Sequence, residues 1–245
     1  KELDIPLIKL SSGDITNALL LYRAGQTGKP VLLSTGMSTL GDIEEALKML
    51  VAGYKNEKDI DAMYGPLSLA DIDLLREKVS LLQCTSDYPT AFSDVNLPVI
   101  KTLQDTFKLE VGFSDHTPGT LAPVAAVALG AQIVEKHFTL DKDLPGPDHK
   151  ASLDPAELRE LVKNIRSVEQ MMGSPYKMPV ASEIETRKVA RRSLVATQDI
   201  ACGETLTADN LSTKRPATGV SAIHYWRYLG RKVQRAYRKD ELIEP

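Results

Sequence analysis

The thirty residues EVGFSDHTPGTLAPVAAVALGAQIVEKHFT, 110–139, carry the clearest fold signal in the chain. Two short apolar runs, Glu110–Phe113 and Gln132–Lys136, predict buried strands, and the alanine-rich stretch between them predicts a helix. A strand, a helix and a second strand in this order indicate a parallel βαβ unit. A histidine follows each predicted strand, His116 after the first and His137 after the second. The sequence therefore predicts that the two histidines lie at the same edge of a sheet.

The same alternation extends toward the N-terminus. Three more apolar runs bounded by turn residues predict strands at Pro6–Leu10, Val31–Ser34 and Leu81–Cys84. Helical patterns separate the runs, and the first is predicted to begin at an Asp14 cap and to stop at Gly25. A polar segment, 54–66, is predicted to be an inserted loop. Taken alone, these residues predict an open sheet of five parallel strands.

The character of the sequence changes after residue 172. Residues 173–192 are polar, basic and proline-bearing without an apolar period, which predicts a linker. Residues 193–245 mix short β-like pieces with turn signals, which predicts a second, small β-rich domain. We therefore expect an α/β domain over 1–172, a linker over 173–192 and a small domain over 193–245.

Composition excludes several classes of protein. The 245 residues carry a formal net charge of −3 with both signs interspersed, so no basic face for nucleic acid or a lipid surface is expected. No apolar run is long enough to span a bilayer. Only two cysteines are present, Cys84 and Cys202, which favours a reducing compartment such as the cytoplasm. The sequence begins with Lys1, so a removed leader or missing native sequence is compatible with it.

Polar clusters follow all five predicted strands. They are Lys9–Asp14, Ser34–Gly36, Cys84–Tyr88, Ser114–His116 and Glu135–His137. In parallel α/β folds, active sites lie at the carboxyl ends of the strands. Five clusters at five strand ends therefore predict one functional site.

Each cluster also has an ordinary structural explanation. The backbone N–H groups of Ser34–Gly36 could bind a phosphate, or Ser38 or Thr39 could be an ordinary N-cap. Lys9 could bind an anion or extend to solvent. Tyr88 and Asp148 could serve packing and turn formation alone. Histidines at successive strand ends would share a pocket, but two imidazoles are by themselves a weak metal signature.

Longer motifs resemble a known family over essentially the whole chain. They are IKLSSGD, LLSTGM, QCTSDYPT with FSDVNL, GFSDHT, EKHFTLDK, GPDHKASLDP and TKRPATGVS. These strings are similar to those of the sialic acid synthases, the N-acetylneuraminate synthase family. The resemblance implies a (β/α)8 TIM barrel followed by a small antifreeze-like (SAF) domain. It also implies condensation of phosphoenolpyruvate with an N-acyl hexosamine such as N-acetylmannosamine.

The resemblance assigns roles to individual residues. His116 and His137 match two ligands of a divalent metal, usually Mn²⁺, with Mg²⁺ or Co²⁺ as alternatives. The positions that match phosphoenolpyruvate contacts are Lys9, Ser12, Ser34 and Ser114. Tyr88 and Asp148 match positions near the sugar and the reacting carbons, and Glu135 or Asp148 could move protons. Arg215 matches an arginine that reaches the N-acyl group in the partner's barrel, which implies a domain-swapped homodimer.

The chain also departs from the family pattern. Ser86 stands in the substrate pocket where some members have asparagine, and Ala217-Thr218 replaces a frequent Gly-Asn. The family's first three strands have no counterpart here, and five strands cannot close an eight-stranded barrel, so the chain alone is expected to be inactive. Acceptors with 2,4-diacetamido or 6-phosphate groups remain open, as does a non-catalytic protein whose small domain binds carbohydrate or a partner.

Overall fold

The computed structural model describes residues 4–245, which form two compact units divided between Gly173 and Ser174. The first three residues of the predicted domain 1–172 lie outside the described part. The larger unit is an α/β structure, and the smaller unit is built on a short antiparallel strand pair. Within residues 4–245, no helix combines the length and apolar content that crossing a bilayer requires.

The larger unit contains a parallel five-stranded sheet. Its strands are β1 Ile8–Leu10, β2 Val31–Ser34, β3 Val79–Cys84, β4 Glu110–Asp115 and β5 Val134–Lys136. Each strand pairs with the next one along the chain, in the order β1-β2-β3-β4-β5. Because parallel crossovers are right-handed, an order that never reverses places all connecting helices on one face. This is part of an α/β barrel, as the resemblance implies, and not the open sheet that the residues alone predict.

Seven helices lie on the chain of the larger unit. They are α1 Ala18–Gln26, α2 Leu40–Lys55, α3 Ile60–Met63, α4 Leu69–Lys78, α5 Val99–Phe107, α6 Leu121–Ala128 and α7 Pro155–Met172. Capping boxes begin α2 at Thr39 and α7 at Asp154, where Pro155 takes the first helical position. The predicted Asp14 cap is wrong. Asp14 ends a 3₁₀ turn, and Asn17 caps α1 by accepting a hydrogen bond from the Leu20 amide at 3.1 Å.

Two glycines bring α1 and α2 together. A Cβ atom at Gly25 would lie 2.4 Å from the Leu50 carbonyl oxygen, and one at Gly53 would lie 2.2 Å from the Tyr22 carbonyl oxygen. Both contacts are far shorter than van der Waals distance, so only glycine allows the two backbones to touch. Gly25 does not end its helix as predicted, because α1 continues to Gln26. Between helices and sheet, central-strand residues such as Leu33, Leu81 and Val111 are fully buried.

The smaller unit has its own core. Helix α8, Glu183–Ala190, precedes strand β6, Ser193–Ala196, which pairs antiparallel with β7, Leu211–Lys214, and α9 spans Tyr225–Tyr228. The core includes Leu194, Ile200, Leu206, Leu211, Val220, Val233, Tyr237 and Ile243. A small β-rich domain is therefore confirmed.

Two segments predicted to be irregular contain helices. The predicted linker 173–192 includes α8, and the predicted loop 54–66 includes α3. Both helices are short, and α8 buries none of its residues, so neither leaves an apolar period in the sequence.

Candidate active site

A polar cavity of about 420 Å³ opens at the carboxyl edge of the sheet in the larger unit. All five strand ends contribute to it. Its lining includes Lys9, Ser12, Ser34, Cys84, Ser86, Tyr88, Ser114, His116, Glu135 and His137. The structure thus brings nine of the sequence-derived candidates into one pocket, which we call the strand-end pocket.

The two histidines face each other across the pocket. Their ring centroids lie 5.4 Å apart with the planes nearly perpendicular, at 87°. His116 Nδ1 lies 2.8 Å from the Thr85 carbonyl oxygen, a geometry in which Nδ1 carries the hydrogen and donates it. The lone pair of neutral His116 then resides on Nε2. Such an outer hydrogen bond is the usual way in which proteins orient a metal-binding imidazole.

Two imidazoles fit an open metal site. Among residues 4–245, no three His, Cys, Asp or Glu side chains group as a metal cage. A catalytic metal keeps coordination positions for water and substrate, so a small protein ligand set suits that task better than a structural one. His116 and His137 can therefore hold a divalent ion, with the remaining positions left to smaller ligands.

Cys84 adjoins the histidine pair, and the sequence alone gives it no role. Its Sγ lies 3.9 Å from His116 Nδ1. Burial favours the neutral thiol, but hydrogen bonds with His116, Ser12 and Ser114 outweigh it and lower the pKa of Cys84. Burial likewise opposes the charged form of His116, whereas hydrogen bonds with Cys84 and the Thr85 carbonyl raise its pKa overall. The position of Cys84 at the end of β3, opposite Ser114 in the ladder, is the sequence feature that could have identified it as a pocket residue.

The other side of the pocket presents hydroxyl groups. Ser34 is 2% exposed, and its Oγ has no hydrogen-bond partner among the described residues. Ser12 Oγ accepts a hydrogen bond from the Gly36 amide at 2.9 Å, which leaves its own hydrogen available for donation. A Cβ atom at Gly36 would lie 2.4 Å from Ser86 Oγ and 2.8 Å from Ser12 Oγ, so a larger residue there would displace these hydroxyls. Buried donors without partners are groups that an anionic ligand can satisfy.

Glu135 links the hydroxyl side to the only lysine that lines the described pocket. It accepts a hydrogen bond from Ser114 Oγ at 2.7 Å, and its carboxylate lies 3.4 Å from Lys9 Nζ. Tyr88 stacks against the histidines, with ring centroids 4.0 Å from His116 and 5.6 Å from His137. Burial, together with the negative charges of Cys84, Asp148 and Glu135, raises the pKa of the Tyr88 phenol, which keeps it protonated near neutral pH.

Two predicted residues lie outside the pocket lining. Asp148 is at its margin, with Oδ2 3.9 Å from His137 Nδ1, which is too long for a hydrogen bond. Arg215 belongs to the smaller unit, where its Nε donates to the Ala190 carbonyl oxygen at 2.8 Å. The guanidinium is thus anchored at one nitrogen and keeps further donors.

A parallel α/β sheet with a polar, histidine-bearing pocket at its carboxyl edge is the arrangement of α/β-barrel enzymes. Comparison with known families specifies it further. The NeuB family model matches residues 1–177, and the SAF domain model matches residues 191–245. The chain belongs to the NeuB family and carries a SAF domain.

Relatives of the chain include synthases of N,N'-diacetyllegionaminic acid and of N-acetylneuraminate 9-phosphate. It is 45% identical over 242 residues to the N,N'-diacetyllegionaminic acid synthase of Campylobacter jejuni, covering 99% of this chain and 67% of that protein. It is 34% identical to the N-acetylneuraminate-9-phosphate synthase of Mus musculus, covering 99% of this chain and 62% of that protein. The structure of the N-acetylneuraminic acid synthetase of Leptospira borgpetersenii superposes with a TM-score of 0.61 at 33% identity, covering 75% of this chain and 56% of the other. The chain thus spans about two thirds or less of these relatives.

Proposed function

We propose that the protein is a nonulosonic acid synthase, a transferase that condenses phosphoenolpyruvate with an acetamido hexose. The observation that carries the proposal is the strand-end pocket, which combines two facing imidazoles with a buried, unpaired hydroxyl and a lysine. The two imidazoles suit a metal that binds an aldehyde oxygen, and the hydroxyl and the lysine suit an anion. A substrate pair of one anion and one sugar uses both sides.

The residues of the anion side bind the reactive three-carbon substrate. Lys9 and the hydroxyls of Ser12 and Ser34 supply donors for its carboxylate and phosphate, and the Ser114 hydroxyl joins them when its hydrogen turns from Glu135 to the substrate. Glu135 orients two of these donors, because it contacts both Ser114 and Lys9. Fixing the enol carbon at reacting distance from the sugar accounts for much of the rate enhancement in such a bimolecular reaction.

The chemistry requires one new carbon–carbon bond and the loss of phosphate. The methylene carbon of phosphoenolpyruvate attacks the aldehyde carbon of the open-chain sugar, and the aldehyde oxygen takes a proton. A divalent metal between His116 and His137 would polarise that oxygen. Water then adds to the phosphate-bearing carbon, the carbon–oxygen bond to phosphate breaks, and a 2-keto-3-deoxy acid remains. Glu135 or Asp148 can receive the proton of the water, and the phenol of Tyr88 can donate to the sugar.

The relatives favour an acceptor with two acetamido groups. The name N,N'-diacetyllegionaminic acid describes a product with two acetyl amides, and phosphoenolpyruvate contributes no nitrogen, so the acceptor of that relative must contain both. Identity to this relative is 45%, against 34% for the synthase of the singly acetylated 9-phosphate. N-acetylmannosamine is the second candidate, supported by the 33% identical structure of an N-acetylneuraminic acid synthetase.

The test is an assay of phosphate release with a panel of acceptors. The protein is expressed from its native coding region, including any sequence upstream of Lys1, and incubated with phosphoenolpyruvate, Mn²⁺ and one acceptor. We expect release with a 2,4-diacetamido hexose to exceed that with N-acetylmannosamine or its 6-phosphate, and mass spectrometry to detect the nine-carbon acid. Omission of the acceptor and addition of a chelator are the controls. No acceptor-dependent release with any of the three sugars would refute the synthase assignment and favour a non-catalytic binding role.

A further inference from the structure

A buried ion pair lies directly behind the two histidines. The Lys136 ammonium is 2.7 Å from Asp115 Oδ2, and the two side chains are 4% and 0% exposed. Asp115 and Lys136 are direct partners in the β4–β5 ladder. Asp115 precedes His116 in the chain, and Lys136 precedes His137. The ion pair therefore joins the two strands one residue before both candidate metal ligands.

The ion pair also holds the chain on the far side of His116. The Thr117 amide donates to Asp115 Oδ1 at 2.8 Å, and the Lys136 ammonium donates to the Thr117 carbonyl oxygen. Groups on both sides of His116 are thus fixed by the same two side chains. Side chains alternate between the faces of a strand, so this pair points away from the face that carries Ser114 and Glu135. Neither member lines the strand-end pocket.

Stability alone is a weak explanation for a pair of this kind. Removing two charges from water is unfavourable, and replacing a buried ion pair by apolar groups of similar volume is often neutral or stabilising. What such a pair provides is fixed geometry, because a misaligned arrangement would leave an unpaired buried charge. Here the fixed geometry is that of the two strand ends from which His116 and His137 project.

We propose that Asp115 and Lys136 are positioning residues that set the separation of the His116 and His137 rings and thereby the affinity for the divalent metal. The proposal rests on the proposed function, since it assigns the two histidines to a metal. Losing an outer hydrogen-bonding partner of a metal ligand typically weakens metal binding about 10- to 100-fold. Asp115 and Lys136 hydrogen-bond the backbone beside His116 rather than either imidazole, and we expect a loss within this range although neither residue touches the ion.

The experiment measures Mn²⁺ affinity and the melting temperature of the metal-free protein, expressed from the native coding region. The variants are Asp115→Asn, Lys136→Met and the double variant. The amide introduced by Asp115→Asn retains an oxygen for the Thr117 amide, so this variant removes the charge with little other change. The matched control is Asp71→Asn, which removes a 6% exposed carboxylate paired with Lys55, in helix α4 away from the pocket.

We expect the Mn²⁺ dissociation constant to rise about 10- to 100-fold in both single variants and to stay raised in the double variant. The double variant should melt above either single variant, because it contains no unpaired buried charge. In Asp71→Asn the melting temperature should fall while Mn²⁺ affinity stays at the wild-type value. Affinities within twofold of wild type in both single variants, or wild-type affinity in the double variant, would overturn the proposal.

A second measurement separates this inference from the proposed function. Crystal structures of the wild type and the double variant give the distance between the His116 and His137 ring centroids, which is 5.4 Å here. If the wild type binds no Mn²⁺, the metal in the proposed function is wrong, and the ring distance alone decides the positioning role. A change of about 1 Å or more supports that role, and an unchanged distance contradicts it.

Discussion

The two units differ in how their β-structure ends. In the larger unit, β1 pairs with β2 and β5 pairs with β4, and within the described residues neither edge has a further strand. In the smaller unit, β6 pairs with β7, and its residues Ser193 and Val195 also form bridges to Ser221 and Leu242. All four residues of β6 are buried. The smaller unit thus pairs both edges of β6 with its own residues, whereas the described sheet of the larger unit has two unpaired edges.

The same contrast holds for polar groups. The larger unit directs imidazoles, hydroxyls and a lysine into a pocket, and it leaves Ser34 Oγ buried without a partner in the described structure. In the smaller unit, the side chain of the buried Asn210 has hydrogen-bond partners at both ends. Its amide nitrogen donates to the Thr205 carbonyl oxygen, and its amide oxygen accepts from the Thr207 amide. The comparison teaches that stability and chemistry are divided between the units: within the described residues, the smaller one pairs its own strands and polar groups, and the larger one leaves strand edges and pocket donors unpaired.

The largest effect is expected when the 245-residue chain and the smaller unit are each expressed alone. Residues 1–245 expressed alone should aggregate and show no synthase activity, because unpaired parallel edges are aggregation sites and five strands cannot close an eight-stranded barrel around the pocket. Residues 174–245 expressed alone should be soluble and melt cooperatively, because their core is internal. Light scattering, calorimetry and a phosphoenolpyruvate assay measure the difference. A soluble 245-residue chain that consumes phosphoenolpyruvate would remove the distinction between the units.

Replacing a histidine should have the next largest effect. His116→Ala or His137→Ala in the protein from the native coding region should abolish most metal-dependent turnover, because two imidazoles are the proposed ligands. The melting temperature should change little, because strand-end side chains are outside the core. His224→Ala, in the smaller unit, is the matched control. Activity is measured after chelation and Mn²⁺ addition, and full activity in both barrel variants would exclude the metal role.

The smallest of the three effects concerns Arg215. Loss of a charge-assisted hydrogen bond to a substrate carbonyl typically costs about 1.5–3 kcal/mol, which corresponds to about one to two decades in catalytic efficiency. Arg215→Ala should therefore lower kcat/KM by roughly 10- to 100-fold if the arginine contacts the N-acyl group. An exposed arginine that only pairs with a nearby acid such as Asp209 would contribute about 0–1 kcal/mol.

A mixing experiment tests whether Arg215 acts in trans. Arg215→Ala and His116→Ala proteins are combined under conditions in which mass spectrometry shows subunit exchange. In a domain-swapped dimer, one site then contains an intact barrel and an intact arginine, so activity should partly return. Activity no higher than the sum of the separate variants would mean that Arg215 acts within its own chain or has no role.

The sequence predicted the sheet well because a buried parallel strand is a continuous apolar run. Strand β2 has the predicted bounds, and the others are within two residues at each end. Barrel curvature was not readable from the residues, because it depends on strand order, and only the resemblance supplied it. Helix α8 was missed because all its residues are exposed.

The residues of the candidate site were predictable where they lie at the carboxyl ends of parallel strands, because those ends meet at one edge of the sheet. Adjacent parallel strands place Ser114 beside Glu135, and their hydrogen bond follows from the register. The Cys84–His116 contact and the buried Asp115–Lys136 pair were not foreseen, because spacing along one strand does not say which groups meet across the ladder. Arg215 remains a prediction, as do the roles of Tyr88 and Asp148.

The backbone contact between α1 and α2 has a consequence for ligand recognition. Helix α1 follows the 3₁₀ turn that begins at Ser12, and α2 follows strand β2, which ends at Ser34. Because Gly25 and Gly53 let the two helices pack backbone to backbone, we expect the segments that carry Ser12 and Ser34 to keep a fixed spacing. An anion that bridges the two hydroxyls would meet donors whose spacing exists before it arrives. Little ordering entropy is then lost on binding, and more of the interaction free energy remains as affinity.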